Sequence, residues 1–308
     1  MEPDRTVRHL LTAMKPSFSS LATFVLTWGT LLGCVVAEDH VHNLSDKVDE
    51  SSGIVASRTY EGVFWTHEDN GLSNNLYAVD ASGDFLFKAD VSGSKNVDWE
   101  DIAIDDEGYL YVADVGNNAN DRTDLLVYKV KEPNPNDPSS SATVSKRIRF
   151  TYPTQDAFPD ESDLNYDAEA IFYAGGTLYL LSKNRSNTAT DLYRFPSLEA
   201  ANAIDLDYVA TFELGYDVLN EGGKVTAADV SPDGTCLAML CYDAIYLFAQ
   251  PAVGDNWFSG AMEKIELDQS VTGQAEGIAF YDEHLVLTNE EGELHHLESA
   301  LLGATSYP

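Results

Sequence analysis

One pattern recurs five times between residues 50 and 297, and it leaves few folds open to this chain. It opens with an acidic or polar pair, a small residue and a β-branched one: ESSGIVAS from Glu50, DWEDIAID from Asp98, DAEAIFYA from Asp167, TAADVSPD from Thr226 and QAEGIAFY from Gln274. Each opening leads through a tight turn into a strongly apolar run: GVFWTH from Gly62, YLYVAD from Tyr109, TLYLLS from Thr177, CLAMLC from Cys236 and HLVLTN from His284. Third runs start at Leu76, Leu125, Leu192, Ile245 and Leu294, and fourth runs at Phe85, Arg147, Val209 and Met262. The runs are short, rich in β-branched and aromatic residues, and divided by Gly, Asp, Asn and Pro, so they read as strands. Ser197 to Ala203 is the one stretch that reads as a helix.

Four antiparallel strands in about fifty residues match one blade of a propeller. A lone four-stranded sheet cannot bury both of its apolar faces. Blades packed around an axis bury both and expose only short edges. The expected fold is an all-β, five-bladed β-propeller, with six blades as the alternative because the gap from Asp98 to Asp167 is long. That gap reads as two loops: a Pro/Ser-rich hairpin from Glu132 to Thr143, and an acidic, aromatic connection from Pro153 to Tyr166 that is expected to be a mobile cover over the channel mouth. The last set lacks a fourth strand. His40 to Leu44 is the natural donor, which would join both ends of the chain in one blade.

Residues 1–37 read as a secretory signal: Lys15, then a mostly apolar run from Leu21 to Leu32, too short for a comfortable membrane span. Leu31-Leu32-Gly33-Cys34 approximates a bacterial lipobox with Cys34 as the lipidated residue, whereas Val35-Val36-Ala37 fits ordinary cleavage; a retained anchor is the third alternative. Cleavage of either kind places residues 38–308, one propeller domain, outside the cytoplasm: periplasmic, secreted, or held at the outer membrane by lipid alone. A monomer is expected. Cys236 and Cys241 lie five apart in one strand, on opposite faces and roughly 16 Å from each other at about 3.3 Å per residue, so they do not pair. They read as small buried apolar side chains.

The chain carries 18 Lys+Arg against 51 Asp+Glu, a net charge of −33. Phosphate backbones repel such a chain, which argues against nucleic-acid partners and favours cations. In a propeller the first strand of each blade lines the channel, and its opening residue sits at one mouth. The openings bring Glu50, Asp98, Glu100, Asp167, Glu169, Gln274 and Glu276 there. Loops between second and third strands add His67, Glu68 and Asp69, then Asp114 and Asn117, then Lys183 and Arg185. Carboxylates arriving from several directions cannot share one dry mouth without a counter-charge. Six to eight hard oxygens around a cation suit calcium, so Ca2+ is the expected cofactor. The competing reading gives these acids structural work, accepting hydrogen bonds from backbone N–H groups of turns or of neighbouring blades. Asp101 and Asp229 fall one place later than the main acids and should point elsewhere.

DAEAIFY, QAEGIAFYDE and DWEDIAIDDEG resemble the acid-opened inner strands of calcium-dependent propeller hydrolases, above all the β-propeller phytases and phytase-like esterases. The likeness is looser to the gluconolactonase and paraoxonase group. The segments SSGIVASR, DVGNNANDR and KVTAADVSPDG are also similar to a group of secreted bacterial propellers. The resemblance spans Glu50 to Leu297 and implies Glu100, Asp167, Glu169 and Glu276 as metal ligands; the strand openings add Glu50 and Asp98 as further candidate ligands. It further implies a hydrolase of phosphoesters, esters or lactones. The Asp-Asp-Pro-Ala opening and the basic cluster of phytases are absent, which argues against phytate.

For such a hydrolase, Lys183, Arg185 and Arg122 are the nearby groups able to hold an anionic substrate, and His67 is the candidate general base. No Gly-x-Ser-x-Gly elbow, zinc-type His cluster or phosphate-cradling Gly loop is present, and His295 and His296 diverge along their strand. The alternative is a non-catalytic propeller that binds a protein or glycan on the same face, its channel acids structural.

Overall fold

Each of the five sets is an array of four antiparallel strands in the computed structural model, which describes residues 40–69, 71, 73–216, 223–282 and 284–297, and the outer strands of the first two are joined by a short parallel pairing, Val91 opposite Ala142 and Ser92 opposite Thr143. The signal segment and Cys34 lie outside these residues. β1 (His40–Asn43) comes first. The first blade then runs β2 (Ser51–Ala56), β3 (Val63–Glu68), β4 (Asn75–Asp80) and β5 (Phe85–Ser92). The second is β6 (Trp99–Ile104), β7 (Tyr109–Asp114), β8 (Leu126–Lys131) and β9 (Ala142–Thr151). The third is β10 (Ala168–Ala174), β11 (Thr177–Ser182), β12 (Ala189–Arg194) and, after the two-residue β13 (Ile204–Asp205), β14 (Asp207–Glu213). The fourth is β15 (Val225–Val230), β16 (Cys236–Cys241), β17 (Ala244–Ala249) and β18 (Met262–Glu266). The fifth is β19 (Ala275–Tyr281), β20 (His284–Asn289) and β21 (Glu293–Leu297). β1 completes it by pairing antiparallel with β21, from His40 opposite His296 to Asn43 opposite Glu293.

The ring closes. First strands pack in the cycle β2, β6, β10, β15, β19 and back to β2. Five apolar clusters fill the five gaps between successive blades. Trp65 and Trp99 lie between the first and second, and Phe64, Tyr77, Val286 and Leu294 between the first and fifth. β6 and β15 are buried at every position, because both of their faces meet other blades, while β5 and β9 alternate buried and exposed as half-solvated outer strands do. Cys236 and Cys241 are buried and form no disulfide with each other, and they belong to different inter-blade clusters, so they do face opposite ways.

Among the described residues there is no sixth sheet. The span from Glu132 to Ser141 and the span from Tyr152 to Asp167 are connections. Ser197 to Ala203 is not a helix. The Ser197 hydroxyl accepts from the Glu199 amide in a local turn, and a stretch this short offers too little apolar face to stabilise a helix against solvent. The one α-helical turn among the described residues is α1 (Gln269–Thr272), capped by the Asp268 carboxylate. No described helix is long and apolar enough to cross a membrane.

Candidate functional site

The inner strands share a defect that builds the site. Register slips by one residue in each, between Ser52 and Ile54, Trp99 and Asp101, Ala168 and Ala170, Val225 and Ala227, and Ala275 and Gly277. The extra residues are Gly53, Glu100, Glu169, Thr226 and Glu276. A β-bulge re-aims the side chain it carries. Three glutamates therefore occupy equivalent bulges around one ring, broken by Gly53 and Thr226. Gly53 has φ 64°, and a Cβ there would lie 2.8 Å from the Asp101 Cα, so the close approach of the first two inner strands requires glycine.

The acids of the mouth divide into two groups. In the first, the chain supplies the counter-charge. Lys183, from the loop after β11, places Nζ 3.1 Å from Glu169 and 3.3 Å from the Tyr242 hydroxyl. Tyr242 donates to Glu276 at 2.6 Å. Burial alone would lower the Lys183 pKa, but Glu169 and Glu276 outweigh it and hold the ammonium well above its ordinary value. Burial and the nearby Glu169 lift the Glu276 carboxyl to about 8, against the opposing pull of Lys183. Arg185 donates Nε (2.8 Å) and Nη2 (2.5 Å) to Asp167, which also accepts from the Asn117 amide at 2.7 Å. Even so, burial and Glu169 raise Asp167 to about 7.

The second group is Asp69, Asp98 and Glu100, whose ligand oxygens lie within 4.8 Å of one another. It is the one such set of three among the described residues. Glu100 is almost wholly buried, and desolvation, then the charges of Glu169, Asp69 and Asp98, push its carboxyl well above the usual range. Gly116 passes directly over the group: a Cβ there would fall 2.0 Å from the Glu100 Oε1 and 2.4 Å from the Asp98 Oδ2. Of the six metal ligands expected from sequence, the structure thus gathers Glu100 and Asp98. It adds Asp69, whose place in the loop after β3 was legible but whose approach to β6 was not. Asp167, Glu169 and Glu276 hold arginine, lysine and tyrosine instead. Glu50 is exposed at the rim, where its carbonyl accepts the Asp69 amide at 3.2 Å.

Two other expectations are corrected. His67 does not line the mouth. Its imidazole is fully buried with its edge to the Trp99 ring, 5.6 Å between centroids, and desolvation lowers its pKa to about 4, so it is neutral and shielded from solvent. Arg122 is committed to its own loop, donating to the Gly116 carbonyl (2.7 Å), Asp114 (2.9 Å) and Asp124 (3.1 Å). Lys183 is buried, whereas Arg185 keeps a quarter of its side chain exposed at 25%. The Pro153–Tyr166 connection is tied at both ends to loops of this face. At its start Gln155 Nε2 donates to the Asn120 carbonyl (3.0 Å), and at its end the Tyr166 amide donates to Asn120 Oδ1 (2.7 Å) and the Leu164 amide to Ser186 Oγ (2.7 Å).

The structural role foreseen for some acids belongs to Asp101 and Asp229. Asp101 is fully buried and accepts from the amides of Ile102 (2.8 Å), Ile171 (2.9 Å) and Ala228 (3.3 Å), which clamps the second, third and fourth blades together. Asp229 accepts from Val230 (2.8 Å) and Phe280 (2.9 Å), joining the fourth blade to the fifth.

No protein-family model matches the sequence, and no characterised protein matches it at a significant level. Solved structures similar to the chain include virginiamycin B lyase from Staphylococcus aureus, at 13% identity and TM-score 0.39 over 80% of this chain and 65% of the lyase. The PQQ-bound aldose sugar dehydrogenase from Streptomyces coelicolor is similar at 10% identity and TM-score 0.46, over 85% of this chain and 99% of that one. The β-propeller domain of Cps50 from Myceliophteria thermophila is similar at 12% identity and TM-score 0.41, over 83% and 98%. The chain spans under two thirds of the lyase's length. The propeller fold stands on the strand order and the closed ring of inner strands rather than on these likenesses.

Proposed function

We propose that this is an extracytoplasmic propeller that binds a divalent cation of the calcium class through Asp69, Asp98 and Glu100, and that the ion anchors an anionic ligand at the channel mouth. The observation that carries this reading is the meeting of three carboxylates within 4.8 Å, one of them nearly buried, while the mouth's cationic side chains are paired with other acids. The donor set fits. It consists of hard oxygens only, and the glycine above it leaves the carboxylates room that any side chain would fill. Burial first, and then the repulsion of neighbouring carboxylates, raise the Glu100 pKa, and a bound cation offsets both. Arg185, part exposed beside Asp167, is the group a ligand's anion meets first.

A second reading, hydrolysis of a phosphoester, ester or lactone, is favoured by the Glu276–Tyr242 pair. A carboxyl held up at about 8 keeps its proton near neutral pH, the state a general acid needs. Calcium in the site would supply polarisation of the ester oxygen. In this reading Arg185 orients the substrate's anionic group and Glu276 holds the proton, while His67 takes no part. A protein or glycan held on the same face without turnover is the non-catalytic form of the proposal.

Thermal unfolding of the full chain in EDTA and in excess Ca2+ tests the cation claim. Ca2+ at about a hundred times Kd should raise Tm by about 5 °C. An unchanged Tm would refute the site. Turnover of generic phosphoester and lactone substrates that requires Ca2+ supports the hydrolase, and a Ca2+-dependent shift without any turnover supports the binding form.

A further inference from the structure

We propose that His42, His284 and His296 form a site for a late first-row divalent metal ion, zinc being the type, at the seam where the ring closes. Three of the seven histidines, His42, His284 and His296, fall on one face of the fifth blade. β1 sets His40 opposite His296 and His42 opposite Leu294, and β20 sets Val286 opposite His296. Residues two apart on a strand share a face, so positions 42, 284 and 296 lie together. This is the face that packs on the first blade, since Val286 and Leu294 join Phe64, Tyr77 and Val79 in one apolar cluster.

The pair at the centre has the spacing of a chelate. His284 Nε2 lies 3.1 Å from His296 Nδ1. Two imidazole nitrogens bound tetrahedrally to one zinc ion stand about 3.3 Å apart. The other nitrogen of His296, Nε2, is 2.7 Å from the Ala81 carbonyl oxygen. A carbonyl only accepts, so Nε2 carries the proton and Nδ1 presents its lone pair toward His284. A backbone partner that fixes the tautomer in this way is the usual support behind a metal-bound histidine. The His42 ring stands edge-on to His296, 5.6 Å between centroids, and the His284 ring lies 5.3 Å away. In the proposed metal-bound state the His42 side chain rotates to supply the third nitrogen.

Without metal, His284 Nε2–H donates to His296 Nδ1; with metal, the ion takes the place of that proton and His284 becomes the Nδ1–H tautomer. Imidazole donors select zinc, nickel or copper and reject calcium. His295, adjacent in sequence, faces the other way and pairs with Glu293 at 3.2 Å. An ion here ties β1 to β20 and β21, and through the Ala81 carbonyl it reaches the first blade.

The test uses the full chain without a histidine tag, stripped of metal. Zn2+ at about a hundred times Kd should raise Tm by about 5 °C, and Co2+ should give a visible absorption band. His284→Gln should abolish both effects, His42→Gln should weaken them, and Glu100→Gln should leave them intact. His296→Gln also loses the bond to Ala81, so His284→Gln, which keeps that bond, is the decisive variant. Absence of the Co2+ band in the wild-type protein overturns the proposal, and so does a Zn2+ shift that survives in His284→Gln.

Discussion

Replacing Asp101 with alanine tests how the ring is held. The carboxylate accepts three backbone amides, two of them, Ile171 and Ala228, from other blades, and all three residues are buried. Its loss leaves these donors without a partner or water, at about 1–3 kcal/mol each. Part of this is offset, because burial holds the Asp101 carboxyl well above its ordinary pKa and the native charge is itself costly. A net loss of about 4 kcal/mol is expected, or about 7 °C in Tm for a domain of this size. Asp101→Asn, which keeps one accepting oxygen, should lose about half as much. Glu50→Ala, an exposed carboxylate at the same mouth, should stay within about 0.5 kcal/mol of the wild type. Urea unfolding followed by tryptophan fluorescence measures all three. If Asp101→Ala proved no more destabilising than Glu50→Ala, the inter-blade clamp would have no energetic content.

The remaining predictions concern the mouth. The folded Glu276 carboxyl, held at about 8, binds its proton more tightly than the unfolded chain does; its contribution is therefore full below the ordinary carboxylate pKa and is lost as pH rises to about 8. In EDTA, Glu276→Gln should thus gain stability relative to wild type between about pH 5 and pH 8, as urea midpoints at the two ends would reveal. Lys183→Met strands the buried Glu169 and should cost about 3–5 kcal/mol in chemical unfolding at pH 7 without Ca2+, a loss that added Ca2+ partly restores. Gly116→Ala drives a methyl group into Glu100 and Asp98; calorimetry should find its Ca2+ binding lost while its fold, by circular dichroism, is kept.

The fold was legible because its signals are local. Period-two apolar runs and turn residues mark the blades, and the missing fourth strand of the last set points to His40–Leu44, which is where β1 lies. The acids' positions were legible as well, but not their partners. A one-residue bulge in every inner strand turns Glu100, Glu169 and Glu276 one way and leaves Asp101 and Asp229 to the backbone, and no residue pattern announces the slip. The counter-charge that the crowded carboxylates demanded was foreseen as an ion. For Asp167 and Glu169 it is Arg185 and Lys183, reaching back from a loop fourteen to eighteen residues along the chain. His67 sits among acids in sequence, yet its strand turns the ring onto Trp99, a contact between two blades.

The most direct test of the cation claim is calorimetric titration of Ca2+ into the wild-type protein, Glu100→Gln and Glu276→Gln. One ion should bind the wild type, Glu100→Gln should weaken it by about tenfold or more, and Glu276→Gln should leave it nearly unchanged. Equal losses in the two variants would put the ion among the lysine-paired glutamates and contradict the division of the mouth described above.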